Sequence, residues 1–506
     1  MNQTDWIVVG AGSAGCMVAS QLAGQRNPGP AGTAPPSAAT SDSSLVTLIE
    51  PASQEAPLTD RVRPVRWLNL LGSDDDWNFP TRSSPRLANR SLNWPRGRGL
   101  GGSSRINAMI WFPPTDHDLR MIADALGGRW TLQDLRSFYE KVRAIVRPES
   151  PRWLSEASSR FIGAVPSDRG APQIYERLNR RGRRWNPAQL LDDGRRDDSI
   201  RIHRGTVERL SWKGDRIVGV EMIRNGSRET MVARRGVILC AGSIATPTLL
   251  MRSGIGPRDT LREHNLDIRR ESVAVGAHLQ DHLVMPVVFR TKSGGLNAEA
   301  STRDLARWQS NGTGPVSSNL AECGGLFCDR SIQLHVTPTH YLTYPKASAD
   351  SFMTVGVNLT QPQSTGIVEI QSVDPHAAPM IQADYLGVDD DRVKTIEAVR
   401  FARRIVTETT LNDWIESEAL PGTRRCSDEA LSKAIQRYAQ TLYHPIGTCR
   451  MGLGLDCPIA SDFAVRDVEN LWVVDASVLP RLTLGNPNAT IMLLGFLAAS
   501  ELRTRI

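Results

Sequence analysis

A histidine beside a proline, in the stretch YHPIGTCRMG at residues 443–452, is the first candidate for chemistry. His444 could act as a base, bind a metal or pack as a buried imidazole. A metal site is disfavoured because no other His, Cys or acidic residue stands at ligand spacing near it. An imidazole with a pKa of about 6.5 can accept a hydroxyl proton, which is worth about 10²- to 10⁴-fold in rate. The stretch by itself leaves a base and a structural histidine both open.

A second chemical signal is the pattern Gly10-Ala11-Gly12-Ser13-Ala14-Gly15, which follows an apolar strand and precedes a helix. The first glycine permits a tight turn, the second lets backbone approach a pyrophosphate, and the third lets helix and strand pack closely. Phosphate then binds the free N–H groups of the helix. Glu50 closes the next strand, where its carboxylate can accept hydrogen bonds from ribose hydroxyls. These residues predict a site for NAD or FAD and disfavour NADP.

The elements that must position these residues follow from the spacing of apolar side chains. Residues 5–50 predict a βαβ unit, interrupted by a Pro/Gly/Ala/Ser-rich surface loop at 26–44. A meander of strands with turns at Lys213-Gly214 and Asn225-Gly226 follows. Strands between about residues 335 and 370 predict a separate antiparallel sheet, and the chain ends in a buried helix. The predicted class is α/β, or α+β when both sheets are counted.

Composition places the chain among globular proteins and excludes several classes. Its 506 residues are 40% hydrophobic and 23% charged, so it is neither disordered nor fibrous. The net charge of +6 comes from arginines scattered among acids, which does not indicate a nucleic-acid surface. The seven cysteines form no CxxC pair, which favours reduced thiols over a zinc site or disulfides. Without a signal-peptide pattern or a long apolar run, we expect a cytoplasmic protein with no membrane span.

Five ordered regions of the chain resemble the glucose–methanol–choline (GMC) family of FAD oxidoreductases. They are residues 5–15, RGRGLGGSSRIN at 96–107, GSIATPTLLMRSGIG at 242–256, VGAHLQDHL at 275–283, and the C-terminal blocks YHPIGTCRMG, NLWVVDASVLP and GNPNAT. The resemblance implies a Rossmann-type FAD-binding domain with an inserted substrate domain built on an antiparallel sheet. The implied boundaries are 1–150, 201–290 and 441–506 for the FAD domain, and 151–200 and 291–440 for the substrate domain.

The resemblance also implies which residues contact the cofactor. Beyond the fingerprint and Glu50, it assigns FAD contacts to Trp77, Arg98, Gly101, Gly102, Ser103, Asn107, Val207, Ala241, Asp475, Ala476 and Pro487. Val207 would meet the adenine end through its backbone, and Asp475 and Ala476 would meet the pyrophosphate and the ribityl chain. Ile106 stands where some members tether FAD through a histidine, so non-covalent FAD is expected.

The resemblance gives His444 a partner. Relatives place two active-site side chains 44 residues apart, which pairs His444 with Asn488. Asn486 is then predicted to cap the final helix, with Pro487 at its first position and Asn488 free to hold a substrate oxygen. The positive end of that helix would favour the negative charge that develops on reduced flavin. His282 is expected to be structural.

The predicted function is an FAD-dependent oxidation of the CH–OH group of a small-molecule alcohol. His444 would accept the hydroxyl proton, hydride would pass to flavin N5, and O₂ or another carrier would take the electrons. Alternatives on the same fold are a non-redox or light-driven flavin enzyme, resembling a hydroxynitrile lyase or a fatty acid photodecarboxylase, and a flavin-binding protein without activity. The stretch WFPPTDHD, directly after Ile110, departs from the family, so the substrate is not predicted.

Overall fold

The protein is described here by a computed structural model. The residues that it describes are 3–24, 44–51, 57–166, 170–192, 199–296, 300–344, 346 and 350–504. Most of the predicted surface loop at 26–44 lies outside these residues.

The first sheet has seven strands: β1 (Gln3–Val9), β2 (Val46–Glu50), β10 (Ile200–Arg204), β11 (Thr206–Lys213), β12 (Arg216–Arg224), β13 (Ser227–Leu239) and β24 (Leu471–Val473). Their order is β10-β2-β1-β13-β12-β11, with β24 also paired to β13. The pairs of β1 with β2 and β13, of β10 with β2, and of β24 with β13 are parallel. The two predicted turns connect the antiparallel strands β11, β12 and β13.

The second sheet also has seven strands: β6 (Gly170–Ile174), β16 (Leu283–Thr291), β17 (Cys323–Phe327), β18 (Ile332–Thr337), β19 (Ser351–Leu359), β22 (Ile415–Leu420) and β23 (Gln440–Thr441). Their order is β22-β16-β19-β18-β17-β6, with β23 also paired to β16. Every pairing in this sheet is antiparallel.

Short strand pairs connect these sheets: β3 (Phe79–Pro80) with β4 (Asn93–Trp94), β5 (Ile110–Trp111) with β7 (Glu176–Arg177), β8 (Asn179–Arg180) with β9 (Arg183–Arg184), β14 (Ile255–Gly256) with β15 (Arg270–Glu271), and β20 (Ile367–Glu369) with β21 (Met380–Gln382). The helices of the described residues are α1 (Ser13–Leu22), α2 (Leu58–Val62), α3 (Asp116–Ala125), α4 (Leu132–Val146), α5 (Glu156–Ala164), α6 (Gly242–Arg252), α7 (Arg258–Glu263), α8 (Thr302–Asn311), α9 (Asp389–Thr407), α10 (Asp428–Tyr438) and α11 (Asn488–Thr504). None of these helices is long and apolar enough to cross a membrane.

Each sheet has its own apolar core. The core of the first sheet includes β1, β2, α1 and α11, and every residue of β2 is buried because the sheet is covered on both faces. The core of the second sheet includes β16, β18, β19 and α9. The predicted combination of a Rossmann-type sheet with an antiparallel substrate sheet is therefore confirmed.

The two cores do not divide at single points of the chain. β16, which spans the predicted boundary at residue 290, pairs in the antiparallel sheet. Leu178, Trp185 and Leu190, within the segment 151–200 predicted for the substrate domain, pack in the core of the first sheet. The domain boundaries themselves stay a prediction.

Candidate active site

A cavity of about 370 Å³ lies between the two sheets. On one side, Gly12 and Glu50 line it at the carboxyl ends of β1 and β2. On the other side, His335 on β18 and Gly356 on β19 line it from the face of the second sheet. Ligands of open α/β sheets bind outside the carboxyl ends of the strands. The cavity therefore joins the predicted dinucleotide site to the inserted sheet.

The three fingerprint glycines have different surroundings. Gly10 has a φ of +102°, and a Cβ there would lie 2.5 Å from the carbonyl oxygen of Cys240. A Cβ on Gly15 would lie 1.9 Å from the carbonyl oxygen of Gly10, so only glycine lets α1 approach this turn. A Cβ on Gly12 would meet nothing within 4 Å. Gly10 and Gly15 thus serve packing, whereas Gly12 faces open space.

Polar side chains close the cavity wall where α1 and α11 begin. Ser13 Oγ donates to Asn488 Oδ1 at 2.7 Å and lies 2.9 Å from Ser104 Oγ. Asn488 Nδ2 is buried and has no hydrogen-bond partner in the protein. The first N–H groups of both helices also have no partner within the helix, and the positive ends of both helix dipoles lie at this wall. This wall favours an anionic ligand.

The structure places Asn486, and not the predicted partner Asn488, within hydrogen-bond distance of His444. Asn486 Nδ2 lies 3.1 Å from His444 Nε2. The N–H of Ile491 donates to the carbonyl of Pro487 at 2.9 Å, so Pro487 rather than Asn486 caps α11. Asn488 is the first residue of the helix and contacts α1, whereas Asn486 precedes the helix and reaches the histidine.

Two motifs far apart in the chain bring His282 beside His444. β23 pairs with the start of β16, and the N–H of Leu442 donates to the carbonyl of His282 at 2.8 Å. Asp281 accepts a hydrogen bond from the N–H of His444 and another from Thr441 Oγ1, each at 2.6 Å. The centroids of the two imidazole rings are 5.2 Å apart as a result.

The hydrogen bonds of this pair determine which nitrogen of His444 carries a proton. His282 Nε2 lies 2.8 Å from the carbonyl oxygen of Thr360, which can only accept, so His282 is protonated on Nε2. Neutral His282 then accepts through Nδ1 from the Nδ1–H of His444, at 2.9 Å. His444 Nε2 therefore keeps its lone pair and accepts from Asn486 Nδ2. The unprotonated Nε2 is thus the nitrogen of His444 that can take up a proton.

Both histidines are neutral at ordinary pH. Burial lowers the pKa of His282 to about 4. The pKa of His444 is held well below its usual range, first by burial and then by unfavourable electrostatic interaction of its protonated form with His282, His335 and Arg96. The uncharged state agrees with the tautomers that the hydrogen bonds require.

Comparison with known proteins decides the family. The sequence profile described as GMC oxidoreductase matches residues 4–168 and 167–284 with its N-terminal part, and residues 362–495 with its C-terminal part. The chain belongs to the GMC oxidoreductase family. A GMC-type oxidoreductase of Mycobacterium tuberculosis, itself named as uncharacterized, is 33% identical over 546 residues. The alignment covers 99% of this chain and 99% of that protein. An oxygen-dependent choline dehydrogenase of Cronobacter sakazakii is 30% identical over 556 residues, which cover 99% of this chain and 95% of that protein.

Solved structures show the same fold over the whole GMC chain. A pyridoxine 4-oxidase from Mesorbium loti is 25% identical with a TM-score of 0.82, and 98% of each chain is covered. A formate oxidase variant from Aspergillus oryzae is 22% identical with a TM-score of 0.85, covering 100% of this chain and 98% of that one. This GMC oxidoreductase is accordingly a flavoprotein with FAD as its cofactor.

The cavity of the GMC oxidoreductase fits FAD. The open space at Gly12 and the unpartnered amide of Asn488 lie where two helices begin, which suits a pyrophosphate and the polar edge of a flavin. At the end of β2, the Glu50 carboxylate accepts from the N–H groups of Ala11 and Gly99 at 2.7 and 2.9 Å. Burial raises the pKa of Glu50 to about 7. These hydrogen bonds fix a carboxyl group in the wall, available to ribose hydroxyls.

Most of the residues predicted to contact FAD line the cavity: Gly10, Gly12, Ser13, Ala14, Glu50, Trp77, Gly102, Ser103, Asn107, Val207, Ala241, Asp475, Ala476 and Pro487. Gly15, Arg98 and Gly101 do not line it, and their predicted contacts with FAD stay predictions. The Arg98 guanidinium lies 4.7 Å from the centre of the Trp77 ring, and the N–H of Gly101 donates to the carbonyl of Ala11 at 2.8 Å. These three residues contact residues of the cavity wall or their chain neighbours without lining the cavity themselves.

Sequence reasoning missed Asn486, His282 and His335 as residues of the site. His282 directly precedes β16, whose pairing with β23 could not be read from either motif alone. His335 is buried on β18, and neither ring nitrogen has a hydrogen-bond partner in the protein. The one sequence signal for His335 is the alternation of Gln333, His335 and Thr337, which places three polar residues on one face of a strand.

Proposed function

We propose that this GMC oxidoreductase oxidises the CH–OH group of an alcohol, with His444 as the proton acceptor. Bound FAD supplies the acceptor for the hydride from the carbinol carbon. The observation that carries the proposal is the hydrogen-bonded series from Thr360 through His282 to His444, because it leaves the lone pair on His444 Nε2.

Asn486 takes the role that the sequence had suggested for Asn488. Its Nδ2 is already 3.1 Å from His444 Nε2. A substrate hydroxyl placed against both groups would accept a hydrogen bond from the amide and donate its own to the imidazole. The amide does not titrate, so it orients the oxygen without competing for the proton.

His282 is a positioning residue in this proposal. It contacts neither the alcohol nor FAD but fixes the tautomer of His444, as the buried carboxylate does for the base in serine proteases. The Asp281 carboxylate holds the backbone of His444 and supports the same geometry.

Anaerobic flavin bleaching tests the proposal. Purified holoenzyme is mixed without oxygen with a panel of primary alcohols, and flavin absorbance is followed. We expect at least one alcohol to bleach the flavin, and His444→Ala to slow bleaching by about 10²- to 10⁴-fold. A flavin that stays oxidised while a cyanohydrin or a fatty acid is cleaved would overturn it. Hydrogen peroxide formation compared with dye reduction then distinguishes O₂ from another electron acceptor.

A further inference from the structure

One face of β18 is polar although it is buried. Gln333, His335 and Thr337 alternate along the strand with Leu334 and Val336, whose side chains pack in the core of the second sheet. Alternate residues of a strand lie on one face, about 6.6–7 Å apart. We call Gln333, His335 and Thr337 the β18 polar row. The row begins beside Asn486, the partner of His444, because Gln333 Nε2 donates to Asn486 Oδ1 at 3.4 Å.

Two members of the β18 polar row face the cavity with unused hydrogen-bonding groups. His335 and Thr337 both line the cavity, and each is 5% exposed. The two ring nitrogens of His335 and the hydroxyl of Thr337 all lack a hydrogen-bond partner in the protein. A buried polar group without a hydrogen-bond partner lowers stability, so native sites generally supply a partner.

The imidazole of His335 is covered on one side and open to the cavity on the other. On the β17 side, where His335 pairs with Gly324, the Tyr175 ring fills the space, with its centre 5.5 Å from that of the imidazole. On the β19 side, His335 pairs with Gly356, which lines the cavity and has no side chain to cover the ring. Burial lowers the pKa of His335 to about 3, so the ring is neutral and presents one donor and one acceptor.

The charges around the cavity disfavour a cationic substrate. Among the described residues that line it, the carboxylates are Glu50 and Asp475, and both accept backbone N–H groups at the fingerprint side. The Arg96 guanidinium also lines the cavity, and it donates to the carbonyl of Tyr443 at 2.6 Å. A quaternary ammonium would meet the Arg96 guanidinium beside His444, and no carboxylate among the described lining residues lies on that side of the cavity.

We propose that the substrate is a neutral alcohol with additional hydroxyl groups, and that His335 and Thr337 bind those oxygens. This inference rests on the proposed alcohol oxidation. With the reacting carbinol at His444 and Asn486, His335 binds the oxygen on the neighbouring carbon and Thr337 binds one farther along the chain. The aromatic rings of Trp67 and Tyr443, which also line the cavity, cover the apolar C–H face of such a molecule.

A five-carbon series tests the substrate class. Rates of anaerobic flavin bleaching are measured with pentan-1-ol, pentane-1,2-diol, xylitol and choline. We expect kcat/KM for the diol or for xylitol to exceed that for pentan-1-ol by at least about tenfold, since a hydrogen-bonding site rejects analogues that lack the group. Pentan-1-ol or choline reacting as well as the diol and xylitol overturns this inference and leaves alcohol oxidation standing. No bleaching with any alcohol overturns both.

Two pairs of variants test the named residues. His335→Ala should lower kcat/KM for the diol by about 10- to 100-fold with little change for pentan-1-ol, and His335→Gln should recover part of the loss. Thr337→Val should lower kcat/KM for xylitol more than for the diol. Thr354→Val is the matched control, because Thr354 pairs with Thr337 but its hydroxyl already donates to the carbonyl of Thr339 at 2.6 Å. Equal losses for the diol and pentan-1-ol in His335→Ala, or the same change of preference in Thr354→Val, contradict the assignment.

Discussion

At the scale of single residues, the site depends on where one proton lies. A neutral histidine can carry its proton on either nitrogen, and only the nitrogen without it can act as a base. The carbonyl of Thr360 and the ring of His282 together make Nε2 of His444 the free nitrogen. Three measurable properties of the enzyme depend on this arrangement.

The first concerns the pH dependence of the wild-type enzyme. In the proposed mechanism the active form of His444 is the neutral one, so kcat/KM should fall as the pH falls through its pKa. Because that pKa is lowered below the ordinary value of about 6.5, we expect kcat/KM to stay level from pH 8 to below pH 6. A profile of kcat/KM against pH checks this, and a decline centred at or above pH 6.5 would contradict the assigned base.

The second concerns His282. His282→Ala removes the acceptor for His444 Nδ1–H, so both tautomers become accessible and kcat should fall by about 10- to 100-fold. The smaller side chain also lessens the burial that chiefly lowers the pKa of His444, so the acidic limb of the profile should move to higher pH. A lower rate with an unmoved acidic limb would indicate a purely structural role.

The third separates the two asparagines. Asn486→Ala should lower kcat/KM by about 10²- to 10³-fold, the usual loss when one donor is removed from an active site. Asn488→Ala should instead raise the dissociation constant for FAD, because Asn488 contacts Ser13 at the start of α1. Stopped-flow bleaching and flavin fluorescence titration measure the two effects. The reverse result would restore the pairing of Asn488 with His444.

At the scale of elements, the glycines in the turn between β1 and α1 have two separate functions. Gly15 allows close packing, whereas Gly12 leaves space for a ligand. Gly15→Ala places a Cβ 1.9 Å from the carbonyl of Gly10, so α1 must move away from β1. Gly12 has an extended backbone with φ −76° and open space beyond it, so alanine fits there in the absence of a ligand.

We therefore expect Gly15→Ala to destabilise the apoprotein by about 1–3 kcal/mol or more, as overpacking does. Gly12→Ala should leave the apoprotein's Tm nearly unchanged and weaken FAD binding, since the new methyl group occupies space beside the phosphates. Thermal unfolding without FAD, followed by FAD titration, measures both. Equal losses of Tm in the two variants would mean that Gly12 also serves packing.

At the scale of the whole molecule, one cavity is shared by two cores. Segments from the N-terminal, middle and C-terminal parts of the chain line it, together with the face of the second sheet. A ligand that contacts both cores stabilises the folded state by mass action.

FAD at 100 times its dissociation constant should therefore add about 2.7 kcal/mol of stability, and Tm should rise with the logarithm of FAD concentration. FMN, which lacks the adenosine half and cannot reach Glu50 and Val207, should raise Tm less at the same concentration. Thermal unfolding of the apoprotein with each flavin measures this. A Tm that is insensitive to FAD would contradict the cofactor site.

Much of the architecture could be predicted from local sequence. The Gly10–Gly15 fingerprint, the apolar strands and the turns at Gly214 and Gly226 indicate their structures directly, because each depends on neighbours within a few residues. Ordered motifs also identified the family and most of the cavity wall. His444 stood out for the same reason, as a polar residue in an otherwise apolar stretch.

The tertiary structure decided what depends on contacts between distant segments. His282 and His444 are 162 positions apart and meet through the pairing of β16 with β23. Asn486 and Asn488 are two positions apart at the start of α11, but their side chains point in different directions. Asn486 therefore reaches His444, whereas Asn488 reaches Ser13. The access of the His335 imidazole to the cavity likewise depends on Gly356 in the neighbouring strand β19. Local pattern determines an element, but the side chains that meet across elements are chosen by register and packing, which are properties of the folded chain.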